Sequence, residues 1–417
     1  MPEFLDLLPP SVALSQYLDQ LSPSPKMEQI ETLSAQRRVI CGDIHAPHPL
    51  PSFARSTVDG YAVNAAETHG ASDSLPVYLR LVGEVSMGSV PKFELSSTHC
   101  GLIHTGGMLP KGADAIVMLE NTQVAQPGEI EILRSVAVGE NVIKIGEDVE
   151  QGEIVIPSGT LLRPADIGGL LALGINSIPV TKQPSIAIIS SGDEVVPPGA
   201  DIQPGQVRDI NSYSLAALVE RGGGIPVGYG IVPDDEETLR SITIQALQEC
   251  DMVVITAGSS ASTRDLTSKV IDSLGPPGVV IHGVNVRPGK PTILAACTLE
   301  GSEIAKPVIG LPGNPVSALV IAILFVEPII DVLHGLRTPR IRPKVQARVS
   351  LNLASQTGRE DWVPVRLRLE GESFSADPIF GKSNLIFTLS RADGLLHIPS
   401  QATGLNAGDM AEVMLLS

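Results

Sequence analysis

A multidomain α/β protein is the fold this sequence predicts, on three observations. Its 417 residues exceed one ordinary domain, and at about 100–200 residues per domain they make two to four. Residues 185–335 alternate strand-like and helix-like runs, the pattern of a parallel sheet covered by helices on both faces. Residues 51–147 and 340–417 carry short apolar runs between turn residues instead. These read as two small β-rich units, the last a barrel or a sandwich.

In chain order, residues 1–50 read as helical pieces broken by prolines, and Pro47, Pro49 and Pro51 make an extended connector. Within 51–147, the segments 77–82, 115–119 and 131–133 are strand-like. Residues 150–182 return to helix, with Pro164 in a first turn and Gly174 as a stop. A strand over 185–190 follows, then a helix through 214–220 opened by Asn211 or Ser212, and a strand over 225–232. Asp234 caps the next helix, and Glu237 three residues on completes a capping box. Strands over 252–256, 279–286 and 307–311 and helices over 266–274 and 314–325 complete the alternation. Beyond 340, the segments 345–349 and 362–369 alternate as strands do.

Hydrophobic residues make up 43%, enough for large cores, and the 40 Gly and 34 Pro imply many turns. The net charge of −17 and 3% aromatic content argue against a nucleic-acid partner. An anionic substrate must therefore be held by a local group of donors. Cys41, Cys100, Cys250 and Cys297 are far apart with no CxxC, which disfavours a zinc site or disulfide framework. The N-terminus MPEFLDLLPP has no signal-peptide features. The longest apolar run, 318–326, is shorter than the ~18–20 residues that cross a bilayer. The expectation is a soluble cytoplasmic protein without a membrane partner.

Four loops at strand ends could carry chemistry. Gly310-Leu-Pro-Gly-Asn-Pro-Val-Ser-Ala318 runs from strand into turn into helix. Asn314 can cap that helix, Pro315 suits its first position, and free N–H groups there bind phosphate. A tight turn that merely connects strand to helix has the same sequence. Ser190-Ser-Gly-Asp-Glu194 supplies carboxylates after the first strand, where ligands of open parallel sheets bind. Ala257-Gly-Ser-Ser-Ala-Ser-Thr-Arg-Asp265 offers hydroxyls and a carboxylate, and Arg287-Pro-Gly-Lys-Pro291 offers two cations. Asp209 and Asn211 stand at a helix start. Singly, each acid also reads as a cap or solvated charge. Together they combine a phosphate-binding backbone, carboxylates for a hard cation such as Mg2+, and cations for anionic oxygen. Outside this domain, Asp59 lies in a turn that also reads as a hairpin Asp-Gly, and Thr105-Gly-Gly107 and Gly146-Glu-Asp148 are polar turns.

Together these strings resemble the MoeA family, the molybdopterin molybdenumtransferases, whose animal counterpart is part of gephyrin. The motifs are RSTVDGYAV at 55–63, HTGGMLPKGADAIV at 104–117, GED at 146–148, SSGDEVV at 190–196, RDINSY at 208–213, VRPGKP at 286–291 and GLPGNPVSA at 310–318, with GREDWVPVRL, GKSN and RADGLLHIP further on. The resemblance implies a discontinuous helical domain I (1–50 plus 148–182), an inserted β-rich domain II (51–147), a doubly wound MogA-like domain III (183–337) that binds pterin and nucleotide, and a β-barrel domain IV (338–417). It implies a homodimer whose cleft sets Asp59, Thr105 and Asp148 of one subunit against Asp193, Glu194, Asp265 and Arg287 of the other. Asp193, Glu194 and Asp265 would bind Mg2+. Gly192, Asp209, Asn211, Gly258, Ser259, Ser260, Ser262, Lys290, Gly310, Pro312, Gly313, Asn314 and Ser317 would bind substrate.

The activity so implied is insertion of molybdenum from molybdate into adenylylated molybdopterin, with release of AMP. The resemblance also points to the molybdopterin adenylyltransferase and downstream cofactor carriers as partners. Two features depart from the family pattern. The third loop commonly reads GG(V/T)SxGxxD, and Gly283 stands where many members have a lysine. A molybdopterin adenylyltransferase is the rival enzyme, distinguished by turnover of ATP with unmodified molybdopterin. A non-catalytic scaffold or sensor is the rival from another class, distinguished by binding without AMP release.

Overall fold

The structure, a computed structural model, describes residues 7–21, 23–256 and 261–416, with the backbone alone for 261–265. Its central element is a six-stranded sheet in the order Ile225–Val232, Ser185–Ser191, Met252–Thr256, Lys306–Leu311, Ile293–Cys297, Pro277–His282. The first four strands are parallel. Ile293–Cys297 runs antiparallel to both its neighbours, so the sheet is mixed rather than wholly parallel as predicted. The strand predicted over 279–286 ends at His282, and Ile293–Cys297 is an additional strand.

Both sheet faces are buried, which is why the strands read as continuous apolar runs. Ile186, Ile188, Val254 and Ile309 pack on one face with the helices Asn211–Arg221 and 315–333. Ala187, Ile189, Val253 and Val308 pack on the other with Glu236–Glu249 and Ala261–Asp272. The capping prediction needs correction. Asp235, not Asp234, caps Glu236–Glu249, accepting from the Thr238 N–H at 2.8 Å, while Asp234 accepts from Ser191 Oγ at 2.8 Å. The third helical position is then Thr238 rather than Glu237, so no capping box forms.

The apolar run at 318–326 is the middle of a longer helix, Pro315–Leu333, that passes through a wider π turn at Ala322–Val326. By length and composition this helix could cross a membrane, yet 67% of its most apolar 18-residue stretch is buried inside the molecule. Phe325, Val326, Ile329 and Ile330 are wholly covered by their own chain. The helix therefore needs no second subunit to hide it.

The flanking units follow from their own patterns. Met27–Glu31 pairs with Ser177–Thr181, and Ile44–His45 with Ile154–Ile156, so two distant segments share a core of Ile40, Ile156, Leu170 and Ile178. This unit is less helical than expected, with strands on either side of the helix Pro164–Ala172. The helix Pro10–Leu18 belongs elsewhere. Ala13 and Tyr17 enter the α/β core, and Tyr17 Oη donates to the Ala295 carbonyl at 2.7 Å. Residues between these segments form a second six-stranded sheet, in the order Ala115–Met118, Gly60–Val63, His99–Ile103, Val77–Val85, Glu129–Ile132, Thr122–Gln126. After residue 343, Lys344–Val349, Glu360–Glu370, Ser373–Pro378, Gly394–Ile398 and Met410–Leu415 close into a barrel, because Glu360–Glu370 pairs on both its edges. Val286–Arg287 pairs with Glu360–Asp361 and ties the barrel to the α/β domain.

Candidate active site

Parallel direction puts the carboxyl ends of four strands on one edge, with the turns at 192–194, 233–235 and 312–314. Ile293 lies beside Gly310 in the antiparallel neighbour, so the loop 287–292 reaches the same edge. The chain leaves Ser185–Ser191 toward one side of the sheet and Met252–Thr256 toward the other. The gap between them is the topological switch point, where such sheets bind ligands.

Gly192, Asp193 and Glu194 follow the strand Ser185–Ser191 at that gap. A Cβ at Gly192, which has φ +148, would lie 2.8 Å from Glu194 Oε2, so only glycine lets that carboxylate fold back. Asp193 is exposed and accepts from the Asp234 N–H at 3.2 Å. Two carboxylates suit a Mg2+ ion that completes its shell from phosphate oxygens and water. Among the described residues no cluster of three metal-ligating side chains occurs. Gly258, Ser259, Ser260 and the side chains of Ser262 and Asp265 lie outside the described residues.

Asp209 is buried and accepts from the Ser212 N–H at 3.1 Å, so it does the capping work expected of Asn211 or Ser212. Asn211 instead donates to the Gly313 carbonyl at 2.9 Å, and its Oδ1 is buried without a partner. An unpaired acceptor beside the 312–314 turn is a place for a ligand donor. Asn314 precedes the helix but its side chain makes no cap; it donates to Ser383 Oγ in the barrel at 2.9 Å. Gly310 lies inside its strand, where a Cβ would meet Ile293 Cβ at 3.1 Å. Its glycine thus serves strand packing.

Between this edge and the barrel is a cavity of about 1030 Å³ lined by Arg287, Lys290, Pro312, Asn314 and Ser317 from the α/β side. The barrel adds Arg359, Asp361, Trp362, Lys382 and Ser383. Asp361, 4% exposed, takes a bidentate pair from Arg359 at 2.7 and 3.0 Å. Arg287 Nη1 is 3.7 Å from the same carboxylate and 65% exposed, so its charge faces the cavity. Gly289 lets the 287–291 loop lie on the helix, since a Cβ there would meet Ile321 at 2.3 Å. Sequence reading did not assign Arg359, Asp361, Lys382 or Ser383 to the site. Their strings, GREDW and GKSN, were visible, but no spacing shows that the barrel folds back onto Arg287.

The β-rich domain brings Asp59 and Thr105 together. Asp59 Oδ1 accepts from the Thr105 N–H at 2.7 Å and its hydroxyl at 3.1 Å. These bonds hold the Asp59 carboxyl below its ordinary pKa. Asp148 is exposed at the edge of this domain, its N–H bonded to the Leu50 carbonyl at 3.1 Å. Among the described residues of one chain, no hydrogen bond or ion pair joins Asp59, Thr105 or Asp148 to Asp193, Glu194 or Arg287.

Comparison with known proteins matches three consecutive parts of the chain. The MoeA N-terminal region (domain I and II) matches residues 8–174, a probable molybdopterin binding domain matches 187–332, and the MoeA C-terminal region (domain IV) matches 346–416. A putative molybdopterin biosynthesis protein of Methanocaldococcus jannaschii is 36% identical over 413 residues, covering 97% of this chain and 95% of the relative. A molybdopterin molybdenumtransferase of Nostoc is 32% identical over 400 residues, covering 95% and 90%. The crystal structure of a molybdopterin biosynthesis MoeA protein from Pyrococcus horikoshii has a TM-score of 0.85 at 31% identity, covering 98% and 100%.

Proposed function

This chain belongs to the MoeA family, and from that premise we propose that it is a molybdopterin molybdenumtransferase. Its reaction joins molybdate to adenylylated molybdopterin with Mg2+, in the cytoplasm, and yields molybdenum cofactor and AMP. The observation that carries this reading is the cavity at the α/β–barrel boundary. In a chain of net charge −17, its lining gathers Arg287, Lys290, Arg359 and Lys382 around a single carboxylate, Asp361. Such a cavity is suited to oxyanions.

The residues divide the work. Arg287, Lys290 and Lys382 offset charge on molybdate and phosphate, and Arg359 neutralises Asp361 so that the carboxylate does not repel them. The 312–314 turn and the start of the helix behind it add partial positive charge. Asp193 and Glu194, with Asp265, would hold a Mg2+ ion, which would screen the phosphoanhydride. When the anhydride is hydrolysed, one water is consumed, a P–O bond breaks and AMP leaves. Metal coordination is supplied by the pterin dithiolene, so the protein orients and screens. Asp59, fixed by Thr105, completes the site from the β-rich domain. On the family resemblance, which sets these two halves in different subunits, we assign the complete cleft to a homodimer.

AMP release from purified protein given adenylylated molybdopterin and Mg2+ tests the reading. The expected result is release that depends on molybdate. Turnover of ATP with unmodified molybdopterin, or binding without AMP release, would overturn it.

A further inference from the structure

Beside Asp59 stands a side-chain chain that the reaction outlined above does not use. His104 Nε2 lies 2.9 Å from Glu84 Oε1, and its Nδ1 lies 3.8 Å from Asp59 Oδ1. An ionised carboxylate can only accept, so Nε2 is the donor to Glu84, and Nδ1 faces Asp59 across 3.8 Å, the separation of an imidazolium–carboxylate ion pair and not of a hydrogen bond.

The backbone goes out of its way to make this contact. In the parallel pair Val77–Val85 and His99–Ile103, Leu81 is opposite Cys100, but Glu84 is opposite Leu102. One extra residue has been inserted, a bulge. Without it Glu84 would stand opposite Ile103 and point to the other face. With it, Glu84, Leu102 and the following His104 share a face by the alternation of strands. The register is held by Phe93, whose ring covers Gly83 and Gly101; a Cβ at either would come within 2.8 and 2.6 Å of it. Stability does not account for the arrangement. His104 is 37% exposed, and Glu84 and Asp59 are each 55% exposed, and such exposed pairs add little to folding.

We propose that His104 is a positioning residue of the transfer reaction: tied through Nε2 to Glu84, its imidazole backs the Oδ1 side of Asp59 and presents Oδ2 to the substrate. This rests on the function proposed above. Thr105 already donates two bonds to Oδ1 and the His104 ring flanks the same oxygen at 3.8 Å, so the carboxylate is held through one oxygen, and among the described residues no hydrogen bond reaches the other. Among the causes that lower the Asp59 pKa, the charge of His104 is the smallest and the Thr105 bonds are the largest. The effect of His104 is therefore orientation rather than ionisation. Held by Thr105 alone, the carboxylate can still turn about Oδ1 and loses part of the alignment on which rate depends, with little change in ground-state binding.

The test is a double-mutant cycle on molybdate-dependent AMP release, with single-turnover measurement for slow variants. His104→Ala is expected to lower kcat about tenfold with KM within about twofold, and Glu84→Gln to lower it less. His104→Gln, which keeps a donor toward Glu84, should recover most of the loss. In an Asp59→Asn background, His104→Ala should add nothing, because its effect passes through that carboxylate. Wild-type kcat in His104→Ala, or a loss that multiplies with that of Asp59→Asn, overturns the proposal while the proposed function stands. Absence of molybdate-dependent AMP release in the unmodified protein overturns the function, and the positioning role with it. Unchanged unfolding midpoints exclude misfolding as the cause.

Discussion

In the β-rich domain the site is an exposed carboxylate, Asp59, whose position depends on Thr105 and the neighbouring His104. At the α/β–barrel boundary it is a cavity whose one carboxylate, Asp361, is buried and already paired, with cations around it. The first region presents negative charge to solvent and has been shaped by hydrogen bonds. The second withdraws its negative charge and exposes Arg287, Lys290 and Lys382. Under the proposed function the contrast separates two tasks: the cavity would bind an anionic substrate, and Asp59 would act on it.

The largest expected effect breaks the acting half. Asp59→Asn should lower AMP release by at least about a hundredfold while pterin binding, measured by calorimetry, stays near wild type. A loss of binding with unchanged turnover of the bound fraction would reverse the two roles.

Removing Arg359 should disturb the cavity next. Breaking a buried pair typically costs ~3–5 kcal/mol. Arg287 remains 3.7 Å from Asp361, so Arg359→Ala should cost about 2–3 kcal/mol in stability and also weaken molybdate binding. Denaturant unfolding and oxyanion titration read the two effects separately. Arg287→Ala is milder because that side chain is 65% exposed. It should leave the fold intact and weaken substrate binding about tenfold, the value of one charge-assisted contact.

The smallest effect comes from a place remote from both halves. Burial and the nearby Arg340 and Arg38 push His334 down to about 4, from 6.5. A histidine whose folded pKa is depressed stabilises the fold above its unfolded pKa, and that stability is lost as pH falls from 6.5 toward 4. Asp331, raised by burial, opposes the trend. His334→Gln should flatten the stability profile in this window without changing AMP release at neutral pH. An unchanged profile would show that His334 does not titrate in the fold.

These regions also differ in how far sequence discloses them. The α/β domain was legible because sheet strands buried on both faces give unbroken apolar runs, and helices between them give a second period. Its antiparallel edge was not, since Ile293–Cys297 follows the loop 287–292 rather than a crossover helix, and an apolar run does not show strand direction. The edge loops that carry Asp193 and Arg287 are marked in the sequence by their places beside apolar strand runs. Arg359 and Asp361 have no such mark, because long-range contacts bring the barrel over that edge: the pairing of Val286–Arg287 with Glu360–Asp361 and the bond from Asn314 to Ser383. In sequence Asp59 reads equally as a hairpin turn, because its bond from Thr105 spans 46 positions. Local patterns show elements; contacts across distant segments show sites.

Subunit exchange between two inactive variants tests most directly the claim that the acting carboxylate and the binding edge meet across a homodimer. Asp59→Asn and Asp193→Asn should each be nearly inactive alone. After exchange, about half the dimers are mixed, each with one doubly altered cleft and one intact cleft. AMP release should then approach roughly a quarter of wild type if clefts act independently. No recovery, with exchange proved by tagged chains, would contradict a cleft shared between subunits.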